Sequence, residues 1–370
     1  MNQASIPSKR IAYLDVAKGI GILLVALAHA DVSLFSPYLH KFIYAFHMPL
    51  FFFLSGYFFK PGISFWVHFK KRFNSLLKPY FVTILLIYIV SLSFTNMRFA
   101  TVFGRILKSL YATGYYIDWV QLWFLPSLFV TALFAFLFYH FVLARIGNRY
   151  LRWLVLLGLP AIAVPFLDVF YPFSISLLGK EYDLYGLPFS LDLVLLTGFF
   201  YILGNEIRQA TSDKTFDSLW LLLGTGGGLI LLTILFPQRS DFNTRVFDSF
   251  PINTAEAILG ILFTLAVSKQ IVLRTTRLAD VLKYIGQATL FILIFHVPIQ
   301  EFWMPKIFFV TNLQAFSILS AYVISILICL GIYRIFFEQN PVGLFWFGRI
   351  SSHPKKQEEA IPKSPTTPEQ

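Results

Sequence analysis

Apolar runs about long enough to cross ~30 Å of hydrocarbon recur along the chain. Short polar stretches holding most of the Lys and Arg residues separate them. Ten runs are read as spans: 12–34, 42–59, 79–95, 120–143, 152–170, 188–207, 217–236, 252–268, 284–302 and 313–336. Residues 99–112 follow a different rule. Phe99, Val102, Phe103, Ile106, Leu107 and Leu110 recur at intervals of three and four against Arg98, Arg105 and Lys108. That spacing predicts an amphipathic helix lying in the membrane interface. The pattern predicts an all-α, polytopic transmembrane helical bundle of about ten spans. It occupies residues 1–350, and residues 351–370 form a disordered cytoplasmic tail rich in Pro, Lys and Glu.

Composition agrees with this reading. Hydrophobic residues make up 57% of the chain and charged residues only 13%, against about 25% charged in soluble domains. A net charge of +11 could signal nucleic-acid binding. The charges fall between the apolar runs, however, so no nucleic-acid partner is expected. With the N-terminus in the cytoplasm, cytoplasmic segments hold 21 Lys and Arg and the opposite segments 8. The positive-inside rule therefore predicts cytoplasmic termini. Lys9 and Arg10 before an apolar run resemble a signal peptide, but the run is too long for one and is kept as the first span. The lone Cys329 permits no internal disulfide and reads as a small hydrophobe.

Ionisable residues inside spans are costly, which makes them candidates for chemistry. The first span carries Asp15, Lys18 and His29. Asp15 and Lys18, three apart, are neighbours on one helix face and a candidate ion pair. Lys18 and His29, eleven apart, lie on nearly the same face, separated by about 16.5 Å along the axis. His47 falls near the start of the second span, so two antiparallel spans would hold His29 and His47 at similar depth. Plainer readings exist for each: a snorkelling Lys18, a structural hydrogen-bonding His29, and packing histidines at His47 and at His296. No histidine or cysteine cluster suggests a metal, and no nucleophile elbow or P-loop is present.

The stretch from Phe69 to Tyr80 gathers Lys70, Lys71, Arg72 and Lys78 on the cytoplasmic side. It suits either membrane lipid headgroups or the phosphates of a cytoplasmic donor.

The blocks Leu14-Asp15-Val16-Ala17-Lys18-Gly19-Ile20-Gly21 running to His29, and Phe46-His47-Met48-Pro49-Leu50-Phe51-Phe52-Phe53-Leu54-Ser55-Gly56-Tyr57, resemble membrane-bound acyltransferase family 3, in particular its fucose 4-O-acetylase-like branch. Lys78-Pro79-Tyr80, Leu122-Trp123-Phe124-Leu125 and the segment around His296 follow in the family's order. Lys18, ten residues, then His29 meets the family pattern of Arg or Lys, ten residues, His. The resemblance implies a bacterial inner-membrane O-acetyltransferase with ten spans. Its donor is cytoplasmic acetyl-CoA, with no tightly bound cofactor. Its acceptor is a sugar hydroxyl of a surface or exopolysaccharide, or of a lipid-linked precursor. His29 is then catalytic with Lys18 as motif partner, Asp15 and His47 assisting. Arg72, Lys71 and Lys78 bind the donor, Trp123 and His296 contact substrate, and transfer takes place within the membrane domain itself.

The chemistry suits these residues. Moving an acyl group from a thioester to an alcohol needs a base near neutral pH, and histidine supplies one. Direct transfer and an acyl-histidine relay both remain open. The reading from another class is a transporter or flippase for a polysaccharide or lipid-linked sugar, which ten spans with buried charges also suit.

Overall fold

The computed structural model describes residues 11–94, 98–177, 179–336 and 340, so the expected 351–370 tail lies outside the described residues. Helices dominate: α1 (Ala12–Ala28), α2 (Pro37–Tyr44), α3 (His47–Tyr57), α4 (Phe65–Arg72), α5 (Lys78–Phe94), α6 (Phe99–Tyr111), α7 (Phe124–Phe141), α8 (Arg149–Ala163), α9 (Val194–Ala210), α10 (Leu219–Leu235), α11 (Phe250–Arg274), α12 (Thr276–Gln287), α13 (Thr289–Thr311) and α14 (Gln314–Phe336). Two small antiparallel hairpins complete it, β1 (Phe173–Leu177) with β2 (Lys180–Leu184), and β3 (Ser240–Asp241) with β4 (Val246–Phe247).

Among the described residues, 7 helices are long and apolar enough to cross a membrane. They are the continuous α4–α5 element, the segments built on α7, α8 and α9, and α11, α13 and α14. At 17, 11 and 17 residues, α1, α3 and α10 are shorter.

Three expected boundaries move. The first run does not stay helical to residue 34: α1 stops at Ala28, because Asp31 takes a left-handed φ of 56° before a short 3-10 turn at Val32–Leu34. The second run breaks at Phe46 (φ −141°, ψ −12°), whose ring packs flat against the bare backbone of Gly260. His47 is consequently the first residue of a short helix and does not lie five residues into a span. The ninth run is divided at Ala288, where α12 ends and α13 begins.

The amphipathic segment folds as expected into α6, which buries Val102 and leaves Phe99, Phe103, Leu107 and Leu110 exposed. That is an apolar face without protein cover, as lipid contact requires.

The core is assembled around α1, which packs on α11, α12 and α13, while α3 packs on α9 and α13 on α14. Two reciprocal glycine contacts set the closest approaches. A Cβ on Gly19 would collide with the Leu282 carbonyl, and one on Gly286 with the Asp15 carbonyl. Gly56 meets the Tyr201 carbonyl and Gly204 the Phe53 carbonyl in the same manner. Only hydrogen side chains let these backbones meet, the device by which helices pack in hydrocarbon.

The connections carrying the hairpins are tied by a buried ion pair. Arg245 Nε donates to Asp192 Oδ2 at 2.6 Å and Nη2 to Oδ1 at 3.1 Å. Nη1 reaches the Asn243 carbonyl at 2.6 Å, and the Leu187 amide donates to Asp192 Oδ1 at 2.9 Å. A buried pair completed by further hydrogen bonds escapes most of the desolvation penalty.

Candidate active site

Helix α1 fixes two of the expected residues. Lys18 Nζ pairs with Asp15 Oδ1 at 3.1 Å and sits 4.9 Å from the centre of the Phe58 ring, a cation–π contact. The pair is the one predicted from the three-residue spacing. His29, eleven residues on, is the C-cap of α1. It does not lie mid-helix, so the partial negative charge of the helix end falls beside its ring. Asp31 and Asp241 lie within electrostatic reach of it.

His29 meets a partner that spacing could not supply. The His296 ring on α13 lies 5.3 Å from it, tilted 61° in an edge-on contact. His296 is 0% exposed, and its Nδ1 lies 2.5 Å from the Ile292 carbonyl. A carbonyl only accepts, so Nδ1 carries the proton and Nε2 is a bare lone pair. That Nε2 is buried with no hydrogen-bond partner.

His47 is placed differently from expectation. Its Nδ1 lies 2.9 Å from the Ile43 carbonyl and its ring packs edge-on against Tyr44 at 4.8 Å. It is not among the residues lining the cavity that contains His29, whereas its neighbour Met48 is.

A two-part cavity joins the candidate residues. The larger part, a vestibule of about 630 Å³, is lined by Lys18, Lys71, Arg72, Ser55, Asn74, Ser75 and Gln287 together with apolar side chains. The smaller part, an inner lobe of about 30 Å³, holds His29, Gln121 and Trp123. Phe51, Phe124, Thr289 and Leu293 belong to the walls of both. Lys18 therefore sits at one end and His29 at the other, as their shared helix face predicts. Trp123 lines the lobe as an expected substrate residue. Asp15 reaches the cavity only through Lys18.

Arg72 ends α4 at a π-helical turn, Phe73–Leu77, a distortion that often marks functional sites. Its Nη2 donates to the Tyr201 hydroxyl at 2.6 Å, which aims the guanidinium, while its Nε is buried with no partner. Lys71 joins it in the vestibule wall. Lys78 begins α5 beyond the π-helical turn and is not among the vestibule's lining residues.

Gln121 is the site residue that sequence reasoning missed. Its amide Nε2 donates to the Ile294 carbonyl at 2.8 Å, and its Oε1 is buried without a partner. A lone glutamine ahead of an apolar run carries no distinguishing pattern.

A family model described as an acyltransferase domain matches residues 11–334, from the start of α1 nearly to the end of α14. The chain belongs to acyltransferase family 3. Neither a curated protein nor a solved structure matches it. The family makes this multi-pass membrane protein an acyltransferase, and its match takes in both His29 and the vestibule.

Proposed function

We propose that the protein transfers an acetyl group from cytoplasmic acetyl-CoA to a sugar hydroxyl of a surface or exopolysaccharide, or of its lipid-linked precursor, in a bacterial inner membrane. On this reading it stands with the fucose 4-O-acetylase-like members of the family. The observation that carries the reading is that the basic vestibule at Lys71 and Arg72 and the narrow lobe at His29 adjoin, sharing Phe51, Phe124, Thr289 and Leu293 in their walls.

In this scheme Arg72 and Lys71 hold the donor phosphates and the acyl-pantetheine arm runs inward past Lys18 toward His29. His29 takes the proton of the acceptor hydroxyl as its oxygen attacks the thioester carbonyl. The carbon–sulfur bond breaks, and the departing thiolate recovers the proton from the imidazolium. The C-terminal end of α1, which His29 caps, supplies partial negative charge that favours the imidazolium while it exists. His296 packs edge-on against His29, and its Nε2, without a partner in this structure, would accept from the imidazolium and orient it, the role a third group plays in activated bases.

The test is transfer of labelled acetyl from acetyl-CoA to saccharide acceptors in purified membranes, comparing the wild-type chain with His29→Ala. Label that reaches saccharide only in the wild type supports the reading. Saccharide translocation without any acetylation would replace it with the transporter alternative, which no feature of the described residues favours.

A further inference from the structure

Gln121 precedes α7 in a short 3-10 turn, Val120–Trp123, and only 2% of it is exposed. Its orientation is dictated by its partner. The Ile294 carbonyl, 2.8 Å away, can only accept, so the amide nitrogen faces α13 and Oε1 faces elsewhere. Oε1 is left buried with no hydrogen-bond partner. A buried acceptor without a donor is costly to keep, and the residue that carries this one lines the inner lobe. A bound group that brings an N–H or O–H would complete it.

The shape of the lobe decides which group that is. At about 30 Å³ and walled largely by Ile22, Val25, Met48 and Phe124, it admits a slender, mostly apolar chain and excludes a sugar ring. It shares Thr289 and Leu293 with the wall of the vestibule, the side from which the proposed donor arrives. The end of an acyl-CoA has this form: an acyl thioester, two methylenes, then a single amide N–H.

We infer that Gln121 is a specificity-determining residue for the acyl donor, its Oε1 accepting the N–H of the pantetheine amide nearest the thioester and so setting the thioester carbonyl beside His29. The inference rests on the donor proposed above. It makes the enzyme selective for pantetheine thioesters over other thioesters of equal length.

Binding of labelled acetyl-CoA to the purified full-length protein, without acceptor, tests this. Gln121→Leu should weaken binding about tenfold, the worth of one buried hydrogen bond. That variant also strips the Ile294 carbonyl of its donor, so a second arm leaves the protein unchanged. An acetyl-CoA analogue with an ester oxygen in place of that amide N–H should compete about tenfold less well than acetyl-CoA against the wild type. It should compete equally well against Gln121→Leu. Undiminished competition by the analogue at the wild type overturns the inference while leaving acetyl-CoA as donor. Wild-type protein that does not bind acetyl-CoA at all overturns both the inference and the donor on which it rests.

Discussion

His29 and His296 lie with their rings 5.3 Å apart and edge-on, although α1 and α13 stand at opposite ends of the sequence. His296 is the more deeply buried of the two and holds its tautomer through the Ile292 carbonyl. His29 is half-buried, at the head of the inner lobe. A locked imidazole behind one that faces a cavity is the arrangement expected of an orienting group and its base.

His29→Ala should lower acyl transfer by about 10²–10⁴, the usual contribution of a positioned general base. Initial rates with labelled acetyl-CoA, normalised to inserted protein, measure it. Near-normal turnover in a correctly inserted variant removes His29 from the chemistry.

His296→Leu should reduce kcat by about tenfold or more, since it deletes a buried acceptor beside the base, and leave the KM for acetyl-CoA unchanged. His296→Gln keeps an acceptor oxygen near the Nε2 position and should recover part of the rate. A purely space-filling role predicts the opposite order, with the apolar leucine better tolerated than glutamine.

Arg72→Ala should raise the KM for acetyl-CoA without a matching change for the acceptor, and added salt should weaken donor binding to the wild type through screening. Tyr201→Phe should act in the same direction but less, because it removes only the hydrogen bond that aims the guanidinium. If both substrates suffer equally from Arg72→Ala, the basic vestibule serves the lipid headgroups instead.

Gly286→Ala should destabilise the protein by about 1–3 kcal/mol, the usual cost of overpacking. Its new methyl would meet the Asp15 carbonyl, and backbone cannot swing aside. Gly158→Ala in α8, where nothing lies within 4 Å of the added carbon, should be neutral or slightly stabilising, as expected for alanine in a helix. Thermal unfolding in detergent compares the two, and equal midpoints would contradict the close α1–α12 contact.

Much of the fold was legible because hydrocarbon forces long apolar runs and helices satisfy their own backbones. The Asp15–Lys18 pair and the Lys18–His29 alignment were legible for a related reason: both are periodicities within one helix. What escaped was governed by contacts between distant segments. Nothing local to Phe46 announces that Gly260 will receive its ring and break the second run. With that break His47 opens a short helix, and Met48 rather than His47 lines the inner lobe. Gln121 and the His29–His296 contact likewise depend on where α13 settles, which spacing cannot give. Lys78 was grouped with Arg72 by charge, and it is not among the residues that line the vestibule with Arg72.

Sidedness gives the last prediction, and two independent features motivate it. Lys and Arg counts predict residues 60–78 in the cytoplasm and 35–41 on the opposite side. Lys71 and Arg72 line the vestibule and His29, at the end of α1, lines the lobe that adjoins it, so donor and acceptor would reach the base from opposite faces. Ser75 is exposed and lines the vestibule, whereas Ser36 caps α2 just beyond His29. In a Cys329→Ser background, Ser75→Cys should react with an impermeant thiol reagent only from the cytoplasm, and bound CoA should shield it. Ser36→Cys should react only from the other side and be indifferent to CoA. Labelling of Ser36→Cys from the cytoplasm would reverse the topology, and with it the assignment of the vestibule to a cytoplasmic donor.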